Sequence, residues 1–260
     1  MIRPSDLVVP ARAALAEGGL RLLCRKLLRY PFGRLLLIGA RRDLRLRVPA
    51  CRTVDDVLDL AFGFKYGRLT VEPSQIRSEL KSFLDLLDKS PPQIVVEIGT
   101  GQGGTFMALA HVARSDAILI TVDPAPGSPR ERLLTAMARP TQSVHVLKRD
   151  SHVSSTHALI RKLVSPPGID LLFVDGDHSE SGVRRDFELY APLLRAGGMI
   201  AFHDVVPGPY ETVGGVPSFW TELKRDRKVR EFVRDWGQGG LGIGVLIPEP
   251  DDFGAVHAGD

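Results

Sequence analysis

The sequence has few of the cysteines and none of the long apolar runs that are typical of proteins in oxidising compartments and of membrane-spanning proteins. Cys24 and Cys51 are its only cysteines, and they form no C-x-x-C pair, so neither a disulfide framework nor a thiolate zinc site is favoured. No apolar run approaches the ~20 residues of a membrane-spanning helix. The first residues lack the apolar core and small-residue cleavage site of a signal peptide. We therefore expect a cytoplasmic protein.

Internal repeats and low-complexity tracts are also lacking. The 260 residues are enough for one sizeable α/β domain with a buried core. Pro91-Pro92 marks the point at which the pattern changes from helical periodicity to alternating strand-like and helix-like segments. We divide the chain into a basic helical N-terminal segment (1–60), a main domain (61–248) and a loose C-terminal tail (249–260).

The net charge of +3 is distributed unevenly along the chain. Residues 1–50 contain eleven Lys or Arg and three acidic residues, so this part carries +8 and the remainder −5. Within it, residues 20–29 alternate leucines at helical spacing with basic side chains. Such a helix either rests peripherally on an anionic membrane or packs on the main domain or a second subunit. We expect a homo-oligomer, and no nucleic-acid partner, because no recognised nucleic-acid-binding motif accompanies the charge.

Short, continuous apolar runs alternate with helix-length segments after Pro91-Pro92. Continuous runs are typical of strands buried on both faces, and their alternation with helices predicts a parallel sheet. The predicted strands are Ile94–Ile98, Ala117–Val122, Val144–Leu147, Leu171–Val174, Gly198–Phe202 and Leu241–Ile247. The predicted helices are Thr53–Phe62, Pro73–Leu87, Thr105–Arg114, Ser154–Leu163 and Ser181–Leu194. We expect a Rossmann-like, seven-stranded, mostly parallel sheet with helices on both faces, preceded by a helical N-terminal segment.

A glycine-rich turn follows the first of these strands and indicates a ligand site. The turn contains Gly99, Gly101 and Gly104, which also satisfy the G-x-G-x-x-G dinucleotide pattern. However, Glu97 stands two residues before the first glycine, where a carboxylate suits a cofactor with an ammonium and a sulfonium better than a pyrophosphate. Asp123 ends the next strand about 20 residues on, where an acid binds ribose hydroxyls of either cofactor type.

The order of these acids and glycines, with Asp150 after the third strand, resembles the motifs of class I S-adenosylmethionine (SAM) dependent methyltransferases. The resemblance implies that the acid after the third strand holds the adenine amino group. It also implies a cofactor lid before the first strand, at Gln75. The SAM-binding residues implied in this way are Glu97, Gly99, Gly101, Gly103, Thr105, Asp123, Asp150, Ser151, Asp175 and Gln75.

A second cluster of polar residues follows the fourth and fifth strands. Asp175 and His178 come after one, and His203 and Asp204 end the other. Adjacent parallel strands place their carboxyl ends side by side, so Asp175 and Asp204 are expected to converge. Two carboxylates with water molecules form an oxygen site suited to Mg²⁺. A cation there would bind a substrate hydroxyl and lower its pKa.

This second half resembles the metal-dependent O-methyltransferases of the cephalosporin hydroxylase-like group, which includes sugar and macrolide O-methyltransferases. The features are Asp175-Gly176-Asp177-His178, Arg184-Arg185-Asp186-Phe187 and Ala201-Phe202-His203-Asp204. The resemblance implies O-methylation of a sugar or other natural-product hydroxyl, with a metal triad of Asp175, His203 and Asp204. The middle position is usually acidic in that family. A histidine there either shifts the preference from Mg²⁺ towards Mn²⁺ or only forms hydrogen bonds.

His178 is the candidate general base, with Asp175 as its catalytic companion, because an imidazole of ordinary pKa near ~6.5 exchanges protons close to neutral pH. The alternative is that His178 only caps the following helix or bonds Glu180. Two other functions also fit the motifs. One is an oxidoreductase, either cephalosporin hydroxylase-like or nicotinamide-dependent, and the other is a non-catalytic SAM-binding protein.

Overall fold

A computed structural model describes residue 33 and residues 35–124 and 131–248. In this part of the chain α1 covers residues 35–47 and a 3₁₀ turn follows at Val48–Ala50. The other helices are α2 (Val54–Gly63), α3 (Arg77–Leu87), α4 (Gly104–Val112), α5 (Glu131–Met137), α6 (Ser154–Val164), α7 (Glu180–Tyr190), α8 (Tyr210–Val213) and α9 (Val216–Leu223). The strands are β1 (Lys65–Tyr66), β2 (Leu69–Thr70), β3 (Ile94–Ile98), β4 (Ile118–Val122), β5 (Ser143–Leu147), β6 (Ile169–Val174), β7 (Leu194–His203), β8 (Val229–Phe232) and β9 (Ile243–Leu246).

Seven strands form the main sheet, in the order β5-β4-β3-β6-β7-β9-β8. The five strands from β5 to β7 are parallel, and β9 is antiparallel to both of its neighbours. The small hairpin of β1 and β2 is separate. The prediction of a seven-stranded, mostly parallel sheet is confirmed.

The alternation of side chains along β3 shows how the sheet is covered on both faces. Val95 belongs to the core that contains Met107 of α4, whereas Ile94 and Val96 belong to the core that contains Ile160 of α6. Successive strand residues point to opposite faces, and all five residues of β3 are buried. This burial explains why the sequence pattern of the strand is continuously apolar rather than alternating.

The N-terminal part of the described chain packs on this domain without a break. Thr53 begins α2 with a capping box, in which its hydroxyl accepts from the Asp56 amide at 3.1 Å and the Asp56 carboxylate accepts from the Thr53 amide at 2.9 Å. Val57 and Leu58 are fully buried in the same core as α4. The predicted division at residue 60 therefore falls within a helix. The predicted basic helix at 20–29 and the tail 249–260 lie outside the described residues.

None of the helices in the described ranges combines the length and the apolar composition that crossing a bilayer requires.

Candidate active site

Part of the predicted site surrounds a cavity of about 240 Å³ at the carboxyl edge of β3, β6 and β7. The predicted residues Glu97, Asp123, Asp150 and Ser151 are not among those that line it in the described part of the chain. Three groups of residues form its walls: the glycine turn from Gly99 to Thr105, the segment from Glu72 to Gln75, and the cluster of Asp175, His178, His203 and Asp204, with Thr212 and Leu241 beside it. The cavity therefore has a cofactor-type wall and an acid–imidazole wall that face the same space.

Gly99 brings these two walls into contact. Its φ of +87° is unfavourable for residues with a side chain. A Cβ atom at this position would overlap the backbone carbonyl of Asp175. The amide of Asp175 also donates to the carbonyl of Ile98 at 2.8 Å. Only glycine lets the turn cross so closely over the end of β6, and this contact sets the distance between the turn and the cluster.

The Asp123 carboxylate stabilises the glycine turn through two hydrogen bonds. Its Oδ2 accepts from the amide of Thr100 at 3.1 Å and from the amide of Gly101 at 3.3 Å. Both of these turn residues line the cavity, and Asp123 itself is partly exposed after the end of β4. The carboxylate thus orders the backbone of the turn, and its predicted contact with the ribose stays a prediction.

Glu97 is a buried carboxyl group beneath the turn, only 1% exposed. Its Oε2 accepts from the Thr121 hydroxyl at 2.7 Å, while Oε1 has no hydrogen-bond partner among the described residues. Burial raises the pKa of Glu97 well above its ordinary value, against the opposing hydrogen bond from Thr121, and the nearby charge of Asp175 raises it further. A cation placed beside the carboxyl group would favour its ionised form.

Gln75 connects all three walls of the cavity. The side chain is 5% exposed. Its Oε1 accepts from the Thr105 hydroxyl at 2.6 Å, and its Nε2 donates to Asp175 Oδ2 at 3.2 Å. Asp175 fixes the orientation of the amide, because a carboxylate can only accept and must therefore face Nε2.

Asp150 and Ser151 lie in the loop after β5. Asp150 is exposed, and its carboxylate accepts from the amide of His152 at 2.8 Å. The carbonyl of Ser151 accepts from the Tyr190 hydroxyl at 2.6 Å. Neither residue is among those that line the cavity in the described part of the chain. Their predicted contact with adenine stays a prediction.

Asp175 and Asp204 converge as the parallel strands predict, and His178 lies between them. Its Nε2 is 3.4 Å from Asp175 Oδ1, and its Nδ1 is 3.3 Å from Asp204 Oδ2. One ligand atom from each of these three residues lies within 4.8 Å of the other two. Asp204 has a φ of 59°, and its Oδ1 accepts from the amide of Leu241 at 3.1 Å.

The carbonyl of Thr212 determines which nitrogen of His178 is reactive. It lies 2.9 Å from Nδ1 and can only accept, so Nδ1 carries a proton and Nε2 faces Asp175. The hydrogen bond with Asp175 raises the pKa of His178 to about 9, although partial burial opposes the shift. This pKa differs from the ordinary value on which the sequence-based assignment of a base rested.

His203 faces the same two carboxylates from the core side. Its Nδ1 is 3.1 Å from Asp175 Oδ1 and 3.5 Å from Asp204 Oδ2, and its Nε2 has no hydrogen-bond partner among the described residues. Burial disfavours the charged ring, but the two carboxylates outweigh it and raise the pKa of His203 to about 10. Two imidazoles thus share one pair of carboxylates.

The donor set fits a divalent cation. Asp175, His178 and Asp204 combine two carboxylates with one imidazole, which suits Mn²⁺ or Zn²⁺ better than Mg²⁺. The group brought together in this way contains His178, whereas the set implied by resemblance contains His203. Because His203 Nδ1 also approaches both carboxylates, the two sets remain alternatives for the same position.

Sequence reasoning missed three residues of the site. Thr121 is paired with Glu97 in the β3–β4 register, and its signal was a hydroxyl within an otherwise apolar strand. Thr212 and Leu241 act through their backbone carbonyl and amide. Their side chains therefore gave no indication of these contacts.

Comparison with known proteins finds a matching domain model and a similar fold. Residues 96–205 match the family model described as a methyltransferase domain. A structure of a Staphylococcus aureus protein proposed to be a caffeoyl-CoA O-methyltransferase matches with a TM-score of 0.54 at 16% identity, over 82% of this chain and 100% of that one. This likeness shows the fold.

Several curated proteins share part of the sequence. An uncharacterized protein of Acanthamoeba polyphaga mimivirus is 34% identical over 113 residues, which cover 42% of this chain and 50% of the viral protein. A rhamnosyl O-methyltransferase of Mycobacterium tuberculosis is 26% identical over 151 residues, which cover 52% of this chain and 60% of the mycobacterial protein. The matches thus span about half to three fifths of these relatives.

Proposed function

We propose that this chain transfers the methyl group of SAM to a hydroxyl oxygen of a sugar or other natural-product acceptor, a proposal supported by the match of residues 96–205 to a methyltransferase domain model. One observation carries the proposal: a single cavity has the glycine turn on one wall and the Asp175–His178–Asp204 cluster on the other. A methyl donor on the first wall and an oxygen on the second would meet within that cavity.

The buried carboxyl of Glu97 supports SAM over a nicotinamide cofactor. It lies beneath the turn with Oε1 unpartnered among the described residues. A pyrophosphate gains nothing from a carboxyl group there, whereas a cationic ligand favours its ionised form. Asp123 accepts from the amides of Thr100 and Gly101, and we expect its carboxylate also to accept from ribose hydroxyls.

The acid–imidazole wall supports activation of a hydroxyl group. When bound, SAM supplies an electrophilic methyl group, and a divalent cation supplies positive charge that lowers the pKa of a hydroxyl. Asp175 and Asp204 would hold the cation, with either His178 or His203. In the second case His178 accepts the hydroxyl proton at Nε2, because Nδ1 donates to the Thr212 carbonyl.

The sugar acceptor is supported by the mycobacterial relatives, which are rhamnosyl O-methyltransferases. Incubating the purified protein with methyl-labelled SAM and a panel of glycosides, phenols and aliphatic alcohols tests the acceptor class. We expect the label on a glycoside hydroxyl, and expect His178→Ala to abolish most of it. His145→Ala is the matched control, since His145 does not line the cavity in the described structure.

Titration calorimetry with SAM and NADH tests the cofactor separately from turnover. We expect a heat of binding for SAM and none for NADH. Binding of NADH instead of SAM would contradict the cofactor and favour an oxidoreductase. Binding of SAM without transfer to any acceptor in the panel would favour a non-catalytic SAM-binding protein.

A further inference from the structure

The side of α1 that faces away from the protein has a composition that methyl transfer does not explain. The helix packs inward through Ala40 and Leu44, both fully buried in the core. Gly39 lies against the ring of Tyr66 on the β1–β2 hairpin, so closely that a Cβ atom would overlap it. Ala40 and Leu44 are one turn apart and define the inward side of the helix. Gly39 lies about 40° or less from Leu35 and Leu46 around the axis, so its contact with Tyr66 marks where the outward side borders the hairpin.

Successive residues of an α-helix are about 100° apart. Leu35, Ile38, Arg42, Arg45 and Leu46 therefore lie along one side of α1, opposite the buried pair, and all five are exposed. We call them the outer face of α1. It combines three large aliphatic side chains with two cationic ones.

The aliphatic residues of the outer face are unusually exposed. Leu35, Ile38 and Leu46 are 64%, 65% and 68% exposed. They account for half of the six large hydrophobic residues that are exposed in the described ranges; the other three are Val153, Tyr210 and Trp236. Single exposed apolar residues are normal, but three on one face of one helix indicate an interaction surface.

We propose that the outer face of α1 docks on an anionic phospholipid surface. Aliphatic side chains of an amphipathic helix enter the boundary between headgroups and acyl chains, while arginines remain at the level of the phosphates. Arg42 and Arg45 are placed for this among the three aliphatic residues. The first 50 residues, which contain α1, carry a net charge of +8, so the surrounding sequence adds attraction to an anionic membrane.

The same charges argue against two other occupants of this face. A symmetric contact between two copies brings the same patch of each together, and here it would oppose the arginines of one copy to those of the other. Residues 1–32 contain six Lys or Arg and two acidic residues. That segment therefore brings more positive charge and does not neutralise the face.

The experiment measures sedimentation of the full chain with vesicles of phosphatidylcholine, alone or mixed with phosphatidylglycerol. We expect binding to the mixed vesicles only, weakened by added salt. Arg42→Ala with Arg45→Ala is expected to lower the apparent affinity at least about tenfold, since each arginine near an anionic surface contributes roughly fivefold. Leu35→Ser, Ile38→Ser and Leu46→Ser together are expected to lower it at least as much.

Arg161→Ala with Lys162→Ala is the matched control, because it removes the same charge from exposed positions of α6. It is expected to retain nearly all of the binding. All variants change exposed side chains, and unchanged circular dichroism and Tm verify that each is folded. No binding of the native chain to anionic vesicles overturns the proposal. So does equal loss in the α6 control, or full binding by the aliphatic triple variant.

Sedimentation velocity without lipid tests the second-copy alternative. A dimer that the aliphatic triple variant abolishes, together with absent vesicle binding, assigns the face to self-association. These measurements need no turnover, so their outcome does not depend on whether the protein transfers methyl groups.

Discussion

His178 is a residue whose protonation depends on what lies beside it. Without a bound cation, Asp175 and the Thr212 carbonyl hold the pKa of His178 near 9. The ring is then protonated at neutral pH and cannot accept a proton. In the metal-free protein we therefore expect the ring to titrate at about pH 9. A divalent cation beside the ring disfavours the imidazolium, so kcat measured with Mn²⁺ should rise with pH along an acid limb at lower pH. An NMR titration of the ring without metal and a pH–rate profile with Mn²⁺ measure the two values.

The variant His178→Ala tests the same assignment. If Nε2 takes the proton, we expect kcat to fall at least ~100-fold, with SAM affinity nearly unchanged and the acid limb gone. His145→Ala should retain both rate and limb. Near-native kcat with the limb intact in His178→Ala points to another base, and His203 becomes the next candidate.

Asp123 gives a prediction about cofactor binding. Its carboxylate accepts from two turn amides, and we propose that it also accepts from ribose hydroxyls. Charge-assisted hydrogen bonds of this kind contribute ~1.5–3 kcal/mol, so Asp123→Ala should weaken SAM binding by roughly one to two powers of ten. Calorimetry measures the loss, and circular dichroism verifies the fold. Native SAM affinity in the folded variant would show that the ribose lies elsewhere.

Glu97 gives a prediction about stability. Its pKa is raised in the folded protein by burial and is ordinary, near ~4.3, in the unfolded chain. The folded state therefore loses stability as the pH rises from the unfolded pKa through the folded pKa. Glu97→Gln has no group that ionises there, so it does not lose this stability. The free energy of unfolding of the variant minus that of the wild type should therefore increase from about pH 5 to about pH 8.

Urea denaturation at both pH values measures the difference for Glu97→Gln. The same variant should bind SAM more weakly, because the ionised carboxylate is lost. A difference that stays constant with pH would mean that Glu97 is not held at a raised pKa.

At the scale of elements, two glycines of the turn are required for different reasons. One has no space for a side chain, and the other only has an unfavourable backbone conformation. Gly99 and Gly101 both have positive φ, +87° and +50°. A Cβ at Gly99 would overlap the Asp175 carbonyl, whereas a Cβ at Gly101 meets nothing within 4 Å. We expect Gly101→Ala to cost about 1 kcal/mol of unfolding free energy. Gly99→Ala should cost several times more and displace Asp175.

Denaturation curves and SAM affinities of the two alanine variants check this contrast. Weakened SAM binding in Gly99→Ala alone fits the close contact between the turn and β6. An equal loss of unfolding free energy in the two variants would mean that the turn can move away from the end of β6 without a large penalty.

The elements that were predictable are those with a strong local pattern. The continuous apolar run Ile94–Ile98 was predicted with its observed bounds. β8 was missed because Val229–Phe232 is a half-exposed strand at the sheet edge, with two charged residues in the middle. The strand order made Asp175 and Asp204 neighbours, as predicted. Sequence alone could not indicate that His178 would lie between them.

At the scale of the whole molecule, the cluster depends on contacts between segments far apart in the chain. The Thr212 carbonyl reaches His178 across 34 residues, and the Leu241 amide reaches Asp204 across 37. The first of these backbone groups belongs to α8, and the second lies just before the antiparallel strand β9. They orient the acid–imidazole wall, and no residue type in the sequence marks them.

The charges of the cluster lead to a prediction about whether turnover requires a divalent cation. Two carboxylates, Asp175 and Asp204, are neutralised either by protonated His178 and His203 or by a divalent cation that replaces those protons. If the cation is the working state, EDTA should abolish turnover and Mn²⁺ should restore it better than Mg²⁺, since an imidazole joins the ligand set. Asp204→Ala should then abolish turnover while SAM binding is spared.

Titration of Mn²⁺ into the single variants identifies the imidazole ligand. Loss of a ligand should weaken Mn²⁺ binding at least about tenfold. Losing a residue that only hydrogen-bonds a metal ligand already weakens metal binding by about that factor. If only His203→Ala weakens it, His178 Nε2 remains available to accept the proton. If only His178→Ala weakens it, that nitrogen is occupied and a different base is needed. Full activity after exhaustive dialysis against EDTA would mean that the two imidazolium rings alone balance the carboxylates, and that the proton is removed without a metal.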